Sequence, residues 1–593
     1  MNFIKKTITI FCSVVTFTSF LSPSAVFAYD KEIPEVEVSY YSYSKSSVEK
    51  VVSKLQTNCL FRNNNSEVKK AYDAVVEEYS SFYTAYLLSM IQYYSDYSKS
   101  TEFEYLTKYA DYCESLIFSA LKDAVLNSQY SEYLQSFMEQ REIDFLKDNG
   151  TAVTTIDFSQ KSSELLSEYQ AVNANGNYSL ETKSTKNADI YLRLIKLYKD
   201  SNPFQNKTIM QMLYDQYGRD YTIDEIMSLS DSVKQTTKYL YNYLDTGENN
   251  YINKNNVNSK NIPLIPNPME NVVFRYAGQI SDELAYSADL LKANSLYSYA
   301  SGTFTARGQA FTTNLPKYGV PYIFVGSTQT NRDVKSCIHE FGHFTGFSNY
   351  PESGKYFNAS LNTDIAEVHS QGLEVLFFKF YEDIYGEKYG NYMIYEQTIE
   401  LLDTLSLGFM MNEFENYVFE HVDEMTAQDV TDLYYRLEDE YKCNIAGYFG
   451  NVQNIFLSPG YCISYGISLL PAMELISYIG SDYNKAVELY SNITKKDTYC
   501  SKFQSSVAEC GFKDPLDSKS LNSLRFSIAD YSDSIEGILN GDIDNDNMLS
   551  SEDIKKMQHI LLEGDNNYDL RKTDTSRDDK IDITDLIYLK NKF

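Results

Sequence analysis

Val68-Lys69-Lys70-Ala71-Tyr72-Asp73-Ala74-Val75-Val76-Glu77-Glu78-Tyr79-Ser80-Ser81-Phe82-Tyr83-Thr84-Ala85-Tyr86 sets the fold class. Its apolar positions Val68, Tyr72, Val75, Tyr79, Phe82 and Tyr86 return at spacings of four and three, the period of one helix face. Similar patterns recur through 102–146 and 188–244, so the chain is expected to be mainly α. With 54 tyrosines and no tryptophan, such stripes read as core and helix–helix contact and not as a ligand box. Breaks rich in Asn and Gly are expected at Asn63–Asn65, Asn173–Asn177 and Gly247–Asn258, and Pro263, Pro266 and Pro268 mark entry to a new region. One short run departs from the helical period. Tyr322-Ile323-Phe324-Val325, bounded by Pro321 and Gly326, is β-prone. A boundary is expected near 520–539, after which aspartate and asparagine dominate.

At 593 residues the chain exceeds one ordinary core, and two or more domains are expected. A formal charge of −30 favours solubility and argues against nucleic acid or an anionic membrane as partner. Lys5 and Lys6, the mostly apolar Thr7–Leu21, and small residues at Val26 and Ala28 read as an export signal over 1–28, with the mature chain starting at Tyr29. A secreted, extracellular location follows as the expectation, and no later stretch reads as a membrane span. Of the 8 cysteines, Cys12 falls in the leader; the odd number left implies an unpaired thiol, with Cys500 and Cys510 near enough in sequence to close a small loop or to stay reduced.

The chemistry centres on His339-Glu340-Phe341-Gly342-His343. On a helix, positions i and i+4 share a face, so both imidazoles can meet one Zn²⁺ while Glu340 serves as general base toward water. Val334, Ile338 and Phe341 supply an apolar stripe, and Thr330–Asp333 offers capping residues. A catalytic zinc needs a third protein ligand and an open position. The best candidate is Glu367, on a second helix capped by Thr363 or Asp364 and running on through Val375, Leu376 and Phe378. Glu374, one or two turns on, is placed to orient a ligating histidine from behind. His369 is the rival ligand, but it projects about 200° from Glu367 on an ideal helix.

The segment Glu367-Val368-His369-Ser370-Gln371-Gly372-Leu373-Glu374 downstream of HExGH resembles the thimet oligopeptidase and oligoendopeptidase F family of zinc metallopeptidases. The approach through Gly308–Ile323 and Asp333–His339, and Phe409-Met410-Met411-Asn412-Glu413-Phe414-Glu415 downstream, are similar to that family; the good match runs from about Gly302 to Leu470. The resemblance implies a large, mostly helical domain over 29–525, a deep channel that excludes folded proteins, short unstructured peptides as substrates and one zinc ion. It also implies that Tyr461 and Tyr465, in Pro459-Gly460-Tyr461-Cys462-Ile463-Ser464-Tyr465, stabilise the developing oxyanion. Where thimet-type members carry a histidine five residues before the first tyrosine, this chain has Phe456, so substrate preference does not transfer. The β-prone Tyr322–Val325 is expected to pair with substrate backbone as an added strand.

A near-repeat ends the chain. Asp542, Asp544, Asp546, Met548, Ser550 and Asp553 occupy loop positions 1, 3, 5, 7, 9 and 12 of one copy; Asp574, Ser576, Asp578, Lys580, Asp582 and Asp585 occupy them in the other. Side-chain oxygens with a backbone carbonyl at position 7 suit Ca²⁺. Asn547 and Asp579 stand at position 6, where EF-hands place glycine, and both types tolerate left-handed backbone. Two such copies resemble a type I-like dockerin over 540–593, joined by a linker over 526–539; the resemblance implies two Ca²⁺ and a scaffold's cohesin domain as partner. Ser551-Glu552 and Ile583-Thr584, just inside position 12, differ, so the two faces are not expected to be interchangeable. Competing readings are a peptide-binding protein without catalysis, discouraged by the full HExxH set, and a carbohydrate-active enzyme, weakened by the absence of tryptophan platforms.

Overall fold

The computed structural model describes residues 32–61, 64–138, 140–149, 156–201, 208–350, 361–443, 447–499, 501–564 and 568–592. The expected export signal and Cys500, half of the suggested pair with Cys510, lie outside them. Helices dominate, with one small sheet. The helix Asn65–Ser95 buries Val68, Tyr72, Val75 and Phe82, the stripe read from its period, and Asn64 caps it by accepting from the Glu67 N–H at 2.9 Å. With Lys45–Leu60 and Ser100–Lys122 it builds a separate amino-terminal core.

Two expected interruptions are helical over most of their length, and the chain breaks only at Asn256, with φ 49°, and at Gly537, with φ 70°. The helix Ile223–Asn255 runs through Gly247, because a bare backbone there lets Tyr395 and Arg571 pack where a Cβ would meet them at 3.0–3.2 Å. Of the span expected as a linker, 526–539, residues 526–536 belong to the helix Ser518–Glu536, whose Leu521, Leu524, Ile528 and Ala529 are buried at helical spacing. That periodicity was hidden among its serines and aspartates. The segment Cys462–Ile479 is long and apolar enough by composition to cross a membrane, contrary to expectation, and most of it is buried inside the protein.

The sheet has the order β1 (Tyr297–Ala300), β3 (Val320–Gly326), β2 (Ala310–Leu315). β1 runs parallel and β2 antiparallel to β3. Every residue of β3 is buried. The β-prone run is thus the central strand, and both its edges are taken. Its expected pairing with substrate is incompatible with this register; among the described residues β1 and β2 are the edge strands, and β2 is the one that carries Thr312.

After β3 the chain turns through Ser327–Asn331, with Gln329 at φ 59°, into the helix Arg332–Ser348 that carries HExGH. Asp333 does not cap this helix. Its carboxylate accepts from the Ser327 hydroxyl at 2.6 Å, the Thr328 N–H at 2.8 Å and the Tyr299 hydroxyl at 2.8 Å. The helix start is thereby tied to the ends of β1 and β3. The helix that carries Glu367 spans Thr363–Leu376 and is capped by Asn362, which accepts from the Ile365 N–H at 3.0 Å. It is buried along its whole length, packed between the motif helix and Cys462–Glu474.

The carboxy-terminal module packs Ile543, Met557, Ile560, Leu586 and Leu589 between the helices Ser551–Glu563 and Ile583–Asn591. It is seated on the helical domain through two buried arginines. Arg571 donates to Asp533 at 2.8 Å and to Glu536; Arg577 donates to Asp533 at 2.6 Å and to Tyr243.

Candidate metal and catalytic site

Two glycines bring the HExGH helix and the helix that carries Glu367 together. A Cβ on Gly342 would lie 2.5 Å from the His369 carbonyl oxygen and 2.6 Å from the Ser370 Cα; one on Gly346 would overlap the His369 ring. Only hydrogen at these positions lets the two backbones touch. That contact delivers Glu367 to the histidines one helix away. His339 Nε2 is 3.5 Å and His343 Nε2 is 3.7 Å from Glu367 Oε2, and one ligand atom from each residue lies within 4.8 Å of the others.

Behind the triad, His339 Nδ1 is 2.6 Å from Glu374 Oε1. The other oxygen of Glu374 accepts from Gln397 Nε2 at 3.2 Å, and Lys335 Nζ lies 3.8 Å from it. The Ser370 hydroxyl donates to Glu367 Oε2 at 3.0 Å. Such partners fix ring and carboxylate orientation before any ion arrives. Glu340 is held from the sheet. The Thr312 hydroxyl of β2 lies 2.7 Å from Glu340 Oε2 and 2.9 Å from its carbonyl oxygen. The Tyr461 hydroxyl donates to Glu367 Oε1 at 2.7 Å, and the Tyr465 ring crosses that of Tyr461 edge-on at 5.1 Å.

The electrostatics suit a cation. Glu340, Glu367 and Glu374 are all buried with Lys335 as the near positive side chain. Burial raises Glu340 to about 7, against the pull of His339 and Thr312, and raises Glu367 as well. Burial and the charge of His339 hold His343 well below its ordinary value, so it offers a lone pair at neutral pH. Burial works against the proton on His339, but the hydrogen bond and charge of Glu374, with Glu367 and Glu340, raise it to about 9. A dication among these groups would neutralise the excess carboxylate charge and compete for that proton. Two imidazoles and one carboxylate with an orienting carboxylate behind are a donor set that fits Zn²⁺.

His369, the rival ligand, faces away: its Nε2 is 2.9 Å from the Ile493 carbonyl oxygen. Phe456 is buried, stacked on Tyr169 at 4.2 Å, in an aromatic cluster with Tyr191 and Phe449. Thr312, Gln397 and Lys335 were not singled out from sequence. They lie outside the motif, and a threonine on a strand or a glutamine on a helix carries no local signal.

In the carboxy-terminal module, Asp542, Asp544 and Asp546 bring carboxylate oxygens within 4.8 Å of one another. Asn545, Asn547, Arg577 and Asp579, positions 4 and 6 of each loop, all have φ between 58° and 65°. The position-12 carboxylates fold back on their own loops: Asp553 accepts from the Ile543 and Ser550 N–H groups at 2.7 Å, Asp585 from the Ser576 and Asp582 N–H groups at 2.9 Å. Lys572 Nζ lies 2.8 Å from Asp542 Oδ2. Asp574 and Asp578 flank Ser576 in the second loop, while the side chains of Met548 and Lys580 at position 7 contribute no oxygen.

No protein-family model matches the chain, and no curated protein matches its sequence. Solved structures match its fold. PZ peptidase A with an inhibitor superposes with a TM-score of 0.65 at 16% identity, over 85% of this chain and 99% of that one. A Bacillus anthracis strain Ames protein assigned as an oligoendopeptidase F gives 0.64 at 15%, over 84% and 98%. Oligoendopeptidase-F from Enterococcus faecium gives 0.52 at 12%, over 83% and 98%. The chain therefore has the mainly α fold of the oligoendopeptidases.

Proposed function

We propose that this protein is a zinc-dependent endopeptidase acting on short, unstructured peptides. The observation that carries the proposal is the convergence of His339, His343 and Glu367 from two helices held in contact at Gly342, with Glu340 beside them. Zinc held by that triad would supply a Lewis acid that polarises the scissile carbonyl and acidifies water. Glu340, held by Thr312, takes a proton from the attacking water and passes it to the leaving amine. Tyr461 releases Glu367 and turns its hydroxyl to the carbonyl oxygen as negative charge grows there, with Tyr465 against its ring. The free edge of β2, beside Glu340, accepts substrate backbone as an added strand, which recognises many sequences through main-chain hydrogen bonds.

The carboxy-terminal repeat supports a dockerin: two Ca²⁺ loops that attach the peptidase, outside the cell, to a scaffold's cohesin. The left-handed backbone at matching loop positions and the clustered carboxylates of the first loop support this. Metal analysis of the purified protein, with digestion of a peptide library before and after chelation, tests the peptidase. One zinc per chain and chelator-sensitive cleavage are expected; cleavage unchanged after complete zinc removal would overturn it. Selective calcium chelation should abolish cohesin binding and leave peptide cleavage intact, and calcium-independent binding would refute the docking assignment.

A further inference from the structure

Tyr461 follows a glycine whose peptide groups are gripped from both sides. The Gly460 N–H donates to Glu415 Oε1 at 2.8 Å, and the Gly460 carbonyl oxygen accepts from Arg219 Nη2 at 2.8 Å. Both side chains are buried and ionisable. Gly460 has φ 74°, a left-handed conformation that leaves this N–H and carbonyl accessible to the two jaws. Arg219 Nη2 also donates to the Ser464 hydroxyl at 2.8 Å, and Ser464 pairs with Thr363 Oγ1 at 2.7 Å, on the helix that carries Glu367. The guanidinium stacks over Tyr217, 4.8 Å from its ring centre, and Tyr217 meets Tyr461 edge-on at 5.8 Å. The Tyr217 hydroxyl donates to the Pro459 carbonyl oxygen at 3.2 Å.

Burying a guanidinium and an ionisable carboxyl group is costly, and a structural role alone is satisfied more cheaply by apolar side chains of similar volume. What distinguishes this pair is that each sends a hydrogen bond to a peptide group of the turn from which Tyr461 projects, while Arg219 Nε also lies 3.5 Å from the buried Asp364. We infer that Arg219 and Glu415 form a clamp that positions the Tyr461 hydroxyl over the site, each acting through the Gly460 backbone. They touch neither the triad nor the reacting atoms, so they are positioning residues. The kinetic part of the inference rests on the proposed role of Tyr461; its geometric part does not. The turn is set before substrate arrives, so Tyr461 can leave Glu367 for the substrate oxygen with little further ordering.

The test uses the full-length, zinc-loaded protein with Arg219→Met and Glu415→Met, which remove one jaw each at similar volume, Glu415→Gln, which keeps an acceptor for the Gly460 N–H, and Tyr461→Phe. Crystal structures should show the Tyr461 hydroxyl displaced from Glu367 in both Met variants; an unmoved hydroxyl overturns the clamp. In kinetics, each Met variant should lower kcat about 100-fold with KM within about twofold and zinc content unchanged, and Glu415→Gln should recover most of that loss. In a double-mutant cycle, Arg219→Met should add almost nothing to Tyr461→Phe; full additivity overturns the clamp. Should Arg219→Met fail to fold, the Glu415 pair carries both measurements. Should the wild-type protein bind zinc yet cleave no peptide, the peptidase proposal falls and the crystal structures alone decide the clamp.

Discussion

Glu340 does one thing in this site that no neighbour can: it is the carboxylate beside the triad that neither ligates nor orients a ligand, and Thr312 aims it. Glu340→Gln keeps the shape and removes the proposed base. Peptide turnover should fall by roughly 10²–10⁴-fold while zinc content stays at the wild-type level; turnover that survives would assign the base elsewhere. Glu415 makes a second prediction. Burial raises its carboxyl to about 8, against the Gly460 N–H and Arg219, whereas an unfolded glutamate titrates near about 4.3. Between those values the native state holds a proton that the unfolded state has lost, so stability falls as pH rises through the window. Glu415→Gln does not titrate. Its Tm advantage over the wild type should therefore widen from pH 5 to pH 8, and a gap independent of pH would contradict the shift.

Helix contact decides whether the site exists. The motif helix and Thr363–Leu376 touch at Gly342, where the opposing atoms are backbone and cannot rotate aside. Gly342→Ala should cost about 1–3 kcal/mol through overpacking and move Glu367 away from His339 and His343. Denaturant melts should show the lower midpoint, and zinc competition titration a weaker affinity; unchanged zinc affinity would mean that the helices tolerate separation. A similar close approach joins Gly408 of the helix Glu387–His421 to Gly466 of the tyrosine-bearing helix, where a Cβ on Gly408 would lie 2.6 Å from the Gly466 nitrogen. Glycines at helix crossings thus set the spacing of three elements that carry the site.

The carboxy-terminal module does not hang from the rest of the protein by a flexible tether. Asp533, in the helix Ser518–Glu536, receives Arg571, Arg577 and Tyr243 together, all buried. Asp533→Ala removes the carboxylate that two buried guanidiniums share, leaving Arg571 with Glu536 and Arg577 with Asp530, and should cost about 1.5–3 kcal/mol. Calorimetry should then resolve the module melting ahead of the helical domain, whereas the wild type unfolds with the two linked. Peptide cleavage at 25 °C should be unaffected, since none of these groups lies near His339. One joint transition in the variant would mean that the module is held without Asp533, by the pairs to Glu536 and Asp530 and by apolar contacts.

The sequence by itself determined the helical class, through a period of three and four that survives in any tertiary setting, and it determined the histidine pair, because i and i+4 on one helix need no partner to be neighbours. Glu367 and Glu374 were legible for the same reason: helical spacing puts them on one face. Helix capping and interruption were less so, since Asn362 in place of Thr363 and the helix through Gly247 depend on what packs nearby. Tertiary structure alone decided that β3 is central with β1 and β2 at the edges, that Thr312 reaches Glu340, and that 526–536 is a docking helix. Each of these is a contact between residues far apart in the chain, and no local period encodes which strand lies beside which or where a buried arginine finds its carboxylate.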